Sequence, residues 1–358
     1  MEMTSQRDIH RVSPACAIPD LAGEITAALA GTGPALGLGE VRSTGAPSRI
    51  ALVIGTSGTT GMSKEVAFTA SALLASARAS NKFLEAKPGQ QWSLFLPLTH
   101  IAAVNVIIRS MELGTLPIDL REHQGEYPKV DFTSIVPTQL FRALNSDERL
   151  LRHLQSAQAV LVGGAALSPA LSQQAVTAGI NVVETYGMTE TSGGCIYNGK
   201  AIEGVEYSLN DKSLVQIRGS VMSETYLNAP ELYTLIDGWF ITNDLGEIKD
   251  GKLHILGRAD DVIISGGENL SLTAIEATLS IRYPEIEFAA FAVNDIQWGH
   301  ALHLAVVGQI GESEIDQYLE AALGAASKPK GIHHLEQLPL LGIGKVDRSA
   351  LAKMVGNE

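Results

Sequence analysis

The hydrophobic positions of this chain fall into four successive patterns. Residues 1–49 are weakly patterned. Positions 19–29 have the spacing of a short helix, and 31–48 are rich in Gly, Pro and Ser, so the segment reads as an arm leading to the first strong strand. Beyond it, apolar runs of strand length alternate with longer apolar stretches. Strands are predicted at 50–54, 64–68, 92–96, 115–120, 132–136 and 159–162, with another beginning at Asn181. Helices are predicted between them. An alanine-rich one reaches Leu84 with Thr69 or Ser71 as N-cap; others cover 101–111 and 139–144, the latter with Thr138 as its cap. A further helix opens on Ser168-Pro169 and closes at Gly179. Such alternation implies an α/β fold with a mostly parallel sheet and ligands at the carboxyl ends of its strands. The loop after Ile54, His100, Gly164 and Tyr186 all fall at such ends.

From Gly204 to Gly257 the pattern shortens to alternating runs at 213–218, 239–242, 246–249 and 253–256, with Asp250-Gly251 as a strong hairpin signal. This stretch is read as β-rich. After Arg258 strands and helices mix again: strands at 262–265, 286–293 and 302–309, helices at 272–280 and 313–323, and a last helix capped by Asp347. At 358 residues the chain exceeds what one core normally supports, so two domains are expected. The boundary falls near Ala259, giving a large N-terminal domain over 1–257 with a β-rich end and a small α+β domain over 258–358.

The stretch with the most chemistry is Gly55-Thr-Ser-Gly-Thr-Thr-Gly61-Met-Ser-Lys64. Glycines let the backbone turn its N–H groups inward, hydroxyls add short donors and lysine adds a compact positive charge, which together suit phosphate oxygens. It is not a Walker loop, because Lys64 stands three residues beyond Gly61. A flexible Ser/Thr/Gly linker has the same composition, but it would not explain a strand abutting on each side.

Composition narrows the partners. A formal net charge of -13 disfavours nucleic acid and anionic membranes, both of which demand basic faces. A local cradle can still bind ATP. Two cysteines, Cys16 and Cys195, offer neither a metal quartet nor a disulfide framework and suit a reducing compartment. The chain's start lacks an apolar core of signal-peptide length, and no run approaches the roughly eighteen apolar residues of a membrane span. A cytoplasmic protein without membrane insertion is the simplest expectation, and assembly as a homodimer stays open.

Five segments in order now resemble the core motifs of the adenylate-forming acyl-CoA synthetase superfamily. They are Thr56-Ser-Gly-Thr-Thr-Gly61 with Lys64; Tyr186-Gly-Met-Thr-Glu190; Thr242-Asn-Asp244; Gly257-Arg-Ala-Asp-Asp261 with Gly266-Gly267; and Gly344-Lys345-Val-Asp-Arg348. The resemblance spans residues 50–352, and what precedes is shorter than is usual for that family. Asn243 and Ser63 stand where the family commonly has glycine and proline. It implies a mobile C-terminal domain, ATP and coenzyme A as co-substrates, and Mg²⁺.

Site roles follow residue by residue. Thr56, Ser57, Gly58, Thr59, Thr60, Gly61 and Lys64 would hold the triphosphate. Gly164, Glu184, Tyr186 and Gly187 would surround the base; a core aromatic is the alternative for Tyr186 taken alone, and a tight strand-to-helix turn explains Gly164 equally well. Thr189 would donate to the α-phosphate, and Glu190 would supply a hard oxygen for Mg²⁺. Asp244 suits both ribose hydroxyls with Arg258 completing the pocket, the bland alternative being a surface ion pair. Lys345 resembles the family's mobile lysine, a cation between two mutually repelling anions, the substrate carboxylate and the α-phosphate. Asp260 resembles the hinge, and Gly266 and Gly267 would line the pantetheine path.

For the acid, Ser134-Ile-Val-Pro-Thr-Gln-Leu-Phe-Arg-Ala-Leu144, Leu96-Pro-Leu-Thr-His100 and Val162-Gly-Gly-Ala-Ala-Leu167 look most like the o-succinylbenzoate-CoA ligases of menaquinone synthesis. His100 would line the acyl pocket, and Arg142 would hold the substrate's second carboxylate by two hydrogen bonds. A satisfied core histidine and a solvated helix arginine are the alternatives. Another aryl-CoA ligase and a non-catalytic AMP-binding module are the rival readings, the latter opposed by the retention of both Lys345 and Glu190.

Overall fold

The computed structural model describes residues 6–56, 63–265, 267–295, 298–341 and 345–355. The expected N-terminal arm is in fact half of a sheet. β1 (Gln6–Arg11), α1 (Ile18–Leu29), β2 (Ala35–Leu38) and β3 (Gly45–Pro47) lead into β4 (Ile50–Thr56) and β5 (Lys64–Thr69). The sheet runs β5-β4-β2-β1-β3, with the later strand Thr225–Tyr226 on the free edge of β5. The strand β2, Ala-Leu-Gly-Leu, is buried throughout and too short to display a period. It is a strand because parallel partners flank it, Ile9 opposite Ala35 on one side and Leu36 opposite Leu52 on the other.

A second sheet follows from α2 (Ala70–Phe83), β6 (Trp92–Leu94), α3 (Ile101–Glu112), β7 (Ile118–Asp119), β8 (Phe132–Ile135), α4 (Pro137–Asn145), α5 (Glu148–Ser156), β9 (Ala159–Val162), α6 (Pro169–Thr177), β10 (Val182–Met188), β11 (Gly193–Tyr197) and β12 (Lys200–Ala201). Its order is β12-β11-β10-β9-β8-β6-β7. Pairing is parallel from β10 through to β7, and antiparallel only at the β11 and β12 edge. The mostly parallel expectation therefore holds for this sheet. In the first sheet only β1–β2 and β2–β4 are parallel.

Local chemistry sets the helix starts. Thr69 Oγ1 accepts from Ala72 N at 3.2 Å and opens α2. Thr138 does not cap α4. Pro137 occupies the first turn, where its fixed φ suits the helix and its missing N–H costs nothing, while Gln139 Oε1 accepts from Val136 N at 3.0 Å. Helix α5 was not anticipated; Asp147 Oδ1 accepts from Leu150 N at 3.0 Å, and Leu150 and Leu154 face inward between charged residues. Helices α1 to α3 lie between the two sheets in one core that includes Leu21, Leu52, Phe68, Leu73, Trp92 and Val104. Helices α4 to α6 cover the far face of the second sheet.

The β-rich stretch comprises β13 (Val205–Leu209), β14 (Leu214–Gly219), β15 (Thr225–Tyr226), β16 (Leu235–Ile236), β17 (Trp239–Lys249) and β18 (Lys252–Arg258). The two strands expected within 239–249 are one, kinked by a bulge at Leu245/Gly246. Asp250 and Gly251 turn at φ +51° and +71°, as a two-residue hairpin with positive φ requires.

The remaining elements are β19 (Val262–Ser265), β20 (Glu268–Ser271), α7 (Leu272–Arg282), β21 (Glu287–Asp295), β22 (Gly299–Val307), α8 (Glu312–Leu323), β23 (Gly331–His334), β24 (Leu340–Leu341), β25 (Lys345–Val346) and α9 (Arg348–Val355). Period-two alternation along β21 sends Phe288 and Ala290 to a core with α7 and α8, and Ala289 and Phe291 to a core with α9. Arg348 ties the two sides together. Its Nη2 reaches both oxygens of Glu276, at 2.8 and 3.0 Å, and its Nε donates to Ala290 O at 2.9 Å. Helix α7 packs on α6, which brings this region against the second sheet's outer helices. Among the described residues no helix is long and apolar enough to cross a membrane.

Candidate active site

The carboxyl end of β10 is where the separated motifs meet. Parallel pairing sets Glu184 opposite Val162, so the end of β9 lies beside it. Gly164 follows β9 with φ +82°, a left-handed conformation that favours glycine. Thr185 Oγ1 donates to Val162 O at 3.2 Å and closes this corner. Burial pushes the Glu184 carboxyl up, with His254 pulling the other way. At Tyr186/Gly187 the pairing with β11 slips by a bulge, which re-aims the strand end.

Tyr186 OH donates to Asp244 Oδ2 at 2.7 Å. Asp244 is 9% exposed, and its other oxygen, Oδ1, lies 3.6 Å from Arg258 Nη1. The pairing of Asp244 opposite Arg258 on β17 and β18 delivers both side chains, and Asp244 N donates to Thr242 Oγ1 at 3.0 Å. Burial, then the Asp244 charge, holds the Tyr186 phenol well above the ordinary tyrosine range, so it stays a donor. Three residues singled out in the sequence thus form one constellation: an aromatic face, a carboxylate and a guanidinium.

A second constellation lies one turn further on. Thr189 and Glu190 occupy the short 3-10 turn that follows β10. Glu190 Oε1 accepts from Tyr226 OH at 2.6 Å. Lys64 Nζ sits 4.6 Å from the centroid of the same tyrosine ring. Thr56 Oγ1 donates to Lys64 O at 3.3 Å across the mouth of the β4–β5 hairpin, and Asn228 Nδ2 donates to Ser63 O at 2.6 Å. Glu65, fully enclosed, accepts from the Arg42 and Ser43 N–H groups at 2.6 and 3.1 Å. The stem of the β4–β5 hairpin is therefore anchored from three directions. Glu190 fits a hard divalent cation: it is a carboxylate whose Oε1 is held by Tyr226, the residue whose ring also carries Lys64 Nζ.

The remaining candidates are dispersed. His100 immediately precedes α3 and is half-buried, and burial pulls its pKa down, so the imidazole is neutral near pH 7. Arg142 is exposed in the last turn of α4, and its charge offsets the upward push of burial on Glu287 at the start of β21. Lys345 belongs to the two-residue ladder of β24 and β25. Gly267 has φ +89° with open space where a Cβ would stand. Ser57, Gly58, Thr59, Thr60, Gly61 and Gly266 lie outside the described residues, as do the side chains of Asp260 and Lys345. Sequence reasoning missed Tyr226 and Asn228. Thr225-Tyr-Leu-Asn228 carries no local signal beyond one aromatic and one amide in a polar stretch.

This arrangement, and the sheet order beneath it, is the fold of the adenylate-forming enzymes. The family described as AMP-binding enzyme matches residues 10–224, and the chain belongs to it. It is 36% identical over 333 residues to the probable 2-succinylbenzoate--CoA ligase of Mycobacterium tuberculosis, covering 86% of this chain and 85% of that one. Among solved structures it resembles the o-succinylbenzoate CoA synthetase (MenE) from Bacillus subtilis in complex with the acyl-adenylate intermediate OSB-AMP, with a TM-score of 0.72 and 25% identity over 84% of this chain and 68% of that one. It also resembles wild-type E. coli MenE with a bound analogue of OSB-AMS, with a TM-score of 0.68 and 26% identity over 97% of this chain and 82% of that one.

Proposed function

We propose that this protein is an AMP-forming acid–CoA ligase that adenylates o-succinylbenzoate and then forms o-succinylbenzoyl-CoA, a step of menaquinone biosynthesis. The observation that carries the nucleotide half is the Tyr186–Asp244–Arg258 constellation: a buried carboxylate held between a phenol and a guanidinium, suited to accept both ribose hydroxyls below a base stacked on Tyr186. The named relatives supply the acid.

In the first half-reaction the substrate carboxylate attacks the α-phosphate and pyrophosphate leaves. Lys64 and the hydroxyls and N–H groups of residues 56–61 steady the triphosphate, and Thr189 donates to the α-phosphate. Mg²⁺ at Glu190 would neutralise phosphate charge. Lys345 would come between the substrate carboxylate and the α-phosphate, whose mutual repulsion otherwise opposes the approach. In the second half-reaction the CoA thiol attacks the acyl carbon and AMP leaves. The region 258–358 is proposed as a lid that turns about Asp260, exchanging the Lys345 loop for the Gly266-Gly267 face, where a side chain would obstruct the pantetheine arm. His100, neutral, lines the acyl pocket, and Arg142 meets the second carboxylate once its charge is turned from Glu287. A cytoplasmic location is proposed because ATP and coenzyme A are intracellular pools.

The test is pyrophosphate release from ATP across a panel of aromatic and aliphatic acids, with and without CoA. Release that is strongest with o-succinylbenzoate supports the assignment. Release with a different acid alone refutes the substrate, and no release with any acid refutes the ligase.

A further inference from the structure

Tyr226 is the side chain through which two distant parts of the phosphate side touch. It is 1% exposed. Its hydroxyl donates to Glu190 Oε1 at 2.6 Å, and its ring carries Lys64 Nζ at 4.6 Å from the centroid. The backbone around it reinforces both contacts. β15 pairs with β5 so that Tyr226 lies opposite Val66, two residues from Lys64. Leu227 N donates to Glu65 O at 2.8 Å, and Asn228 Oδ1 accepts from Glu65 N at 2.9 Å. Ser223 N donates to Glu190 O at 2.7 Å, and Tyr233, edge-on to Tyr226 at 5.2 Å, donates its hydroxyl to Ser223 O at 2.6 Å. A carboxylate with one oxygen pinned by a buried donor presents the other in a single orientation, which is how outer partners tune a metal ligand.

We infer that Tyr226 is a positioning residue: its hydroxyl orients Glu190 toward a divalent cation, and its ring sets Lys64 over the phosphate site. This rests on the reading of Glu190 as the cation ligand. The two functions separate by substitution. Tyr226→Phe keeps the ring and removes the donor; Tyr226→Leu removes both.

The experiment is calorimetric ATP binding in Mn²⁺ and in EDTA, on wild type and both variants, with the KM for Mg²⁺ in pyrophosphate release as a second reading. Tyr226→Phe should cut the Mn²⁺ enhancement of ATP affinity by about tenfold and raise the KM for Mg²⁺ by a similar factor, the lower end of what loss of an outer-sphere partner costs. It should leave ATP affinity in EDTA unchanged. Tyr226→Leu should additionally weaken binding in EDTA by about threefold, the scale of a lost cation–π contact. An unchanged Mn²⁺ enhancement in Tyr226→Phe overturns the inference, as does an absence of enhancement in wild type. The Phe variant decides the question even if the Leu variant does not fold. Should wild type show the enhancement yet release no pyrophosphate with any acid, the ligase assignment fails and the positioning role stands or falls on the binding data alone.

Discussion

Tyr186 and Asp244 are joined by a 2.7 Å hydrogen bond across two sheets, from the end of β10 to the middle of β17. The phenol takes Oδ2 and leaves the rest of the carboxylate's acceptor capacity toward Arg258 and the proposed ribose position. Asp244→Ala should therefore weaken use of ATP more than use of 2′,3′-dideoxy-ATP. The expected loss for ATP is about 1.5–3 kcal/mol in kcat/KM, the scale of a hydrogen bond to a charged group. Equal losses for both nucleotides would remove Asp244 from the ribose.

Arg142→Ala should cost about 1.5–3 kcal/mol in kcat/KM for o-succinylbenzoate and much less for a mono-acid lacking the second carboxylate. Steady-state kinetics with the two acids decide it, and an equal loss for both refutes recognition of that carboxylate.

Lys345→Ala should lower adenylation by on the order of 10²- to 10³-fold, comparable with deleting one transition-state donor, yet still convert preformed acyl-adenylate and CoA to thioester. Gly267→Leu should do the reverse. The space around Gly267 accepts a side chain, and its φ of +89° adds strain of about 1–2 kcal/mol, so thermal unfolding of the variant is measured alongside. Asp260→Pro should slow the second step most, by fixing φ at the hinge. Single-turnover assays of each half-reaction are the check; equal impairment of both steps by Lys345→Ala and Gly267→Leu contradicts an exchanging lid.

Acid should destabilise the fold through His153. It is 2% exposed, donates from Nδ1 to Pro128 O at 2.7 Å, and has its pKa lowered by burial, partly offset by that carbonyl. The unfolded chain therefore takes up its proton first. The stability this group contributes is present above about pH 6.5, the ordinary histidine value, and is lost as pH falls from there through the folded pKa. Urea unfolding of wild type between pH 7.5 and 5.5 should lose stability, and His153→Gln should flatten that slope. An unaltered slope in the variant excludes His153 as a source.

Arg348→Met should destabilise the C-terminal sheet by about 2 kcal/mol, because it removes a two-pronged pair with Glu276 and leaves the Ala290 carbonyl without that donor. Hydrogen exchange at β21 and α7 should rise while β9 and β10 stay protected; uniform protection would contradict it.

The strands β4, β8 and β9 and the helices α3 and α6 were legible because each carries a full apolar run or a cap that no other local structure satisfies. The sheet formed by residues 6–47 was not, because its strands are six, four and three residues long and owe their pairing to β4 rather than to their own period. The site divided the same way. Tyr186, Glu190 and Asp244 sit in motifs whose residue types announce their chemistry. Tyr226 does not, since its position arises from β15 joining β5 across the intervening residues 70–224, with Ala67 opposite Thr225 and Val66 opposite Tyr226. No spacing rule reaches that far.

One site is proposed to join an acid to CoA through an acyl-adenylate. The most direct measurement is a rapid-quench single turnover with ATP, Mg²⁺ and o-succinylbenzoate, analysed by mass spectrometry before and after CoA is added. The first phase should yield o-succinylbenzoyl-AMP and pyrophosphate, and the second should convert the acyl-adenylate to o-succinylbenzoyl-CoA and AMP. Thioester formed with release of ADP and phosphate, or ATP bound with no acyl-adenylate at any time, would contradict it.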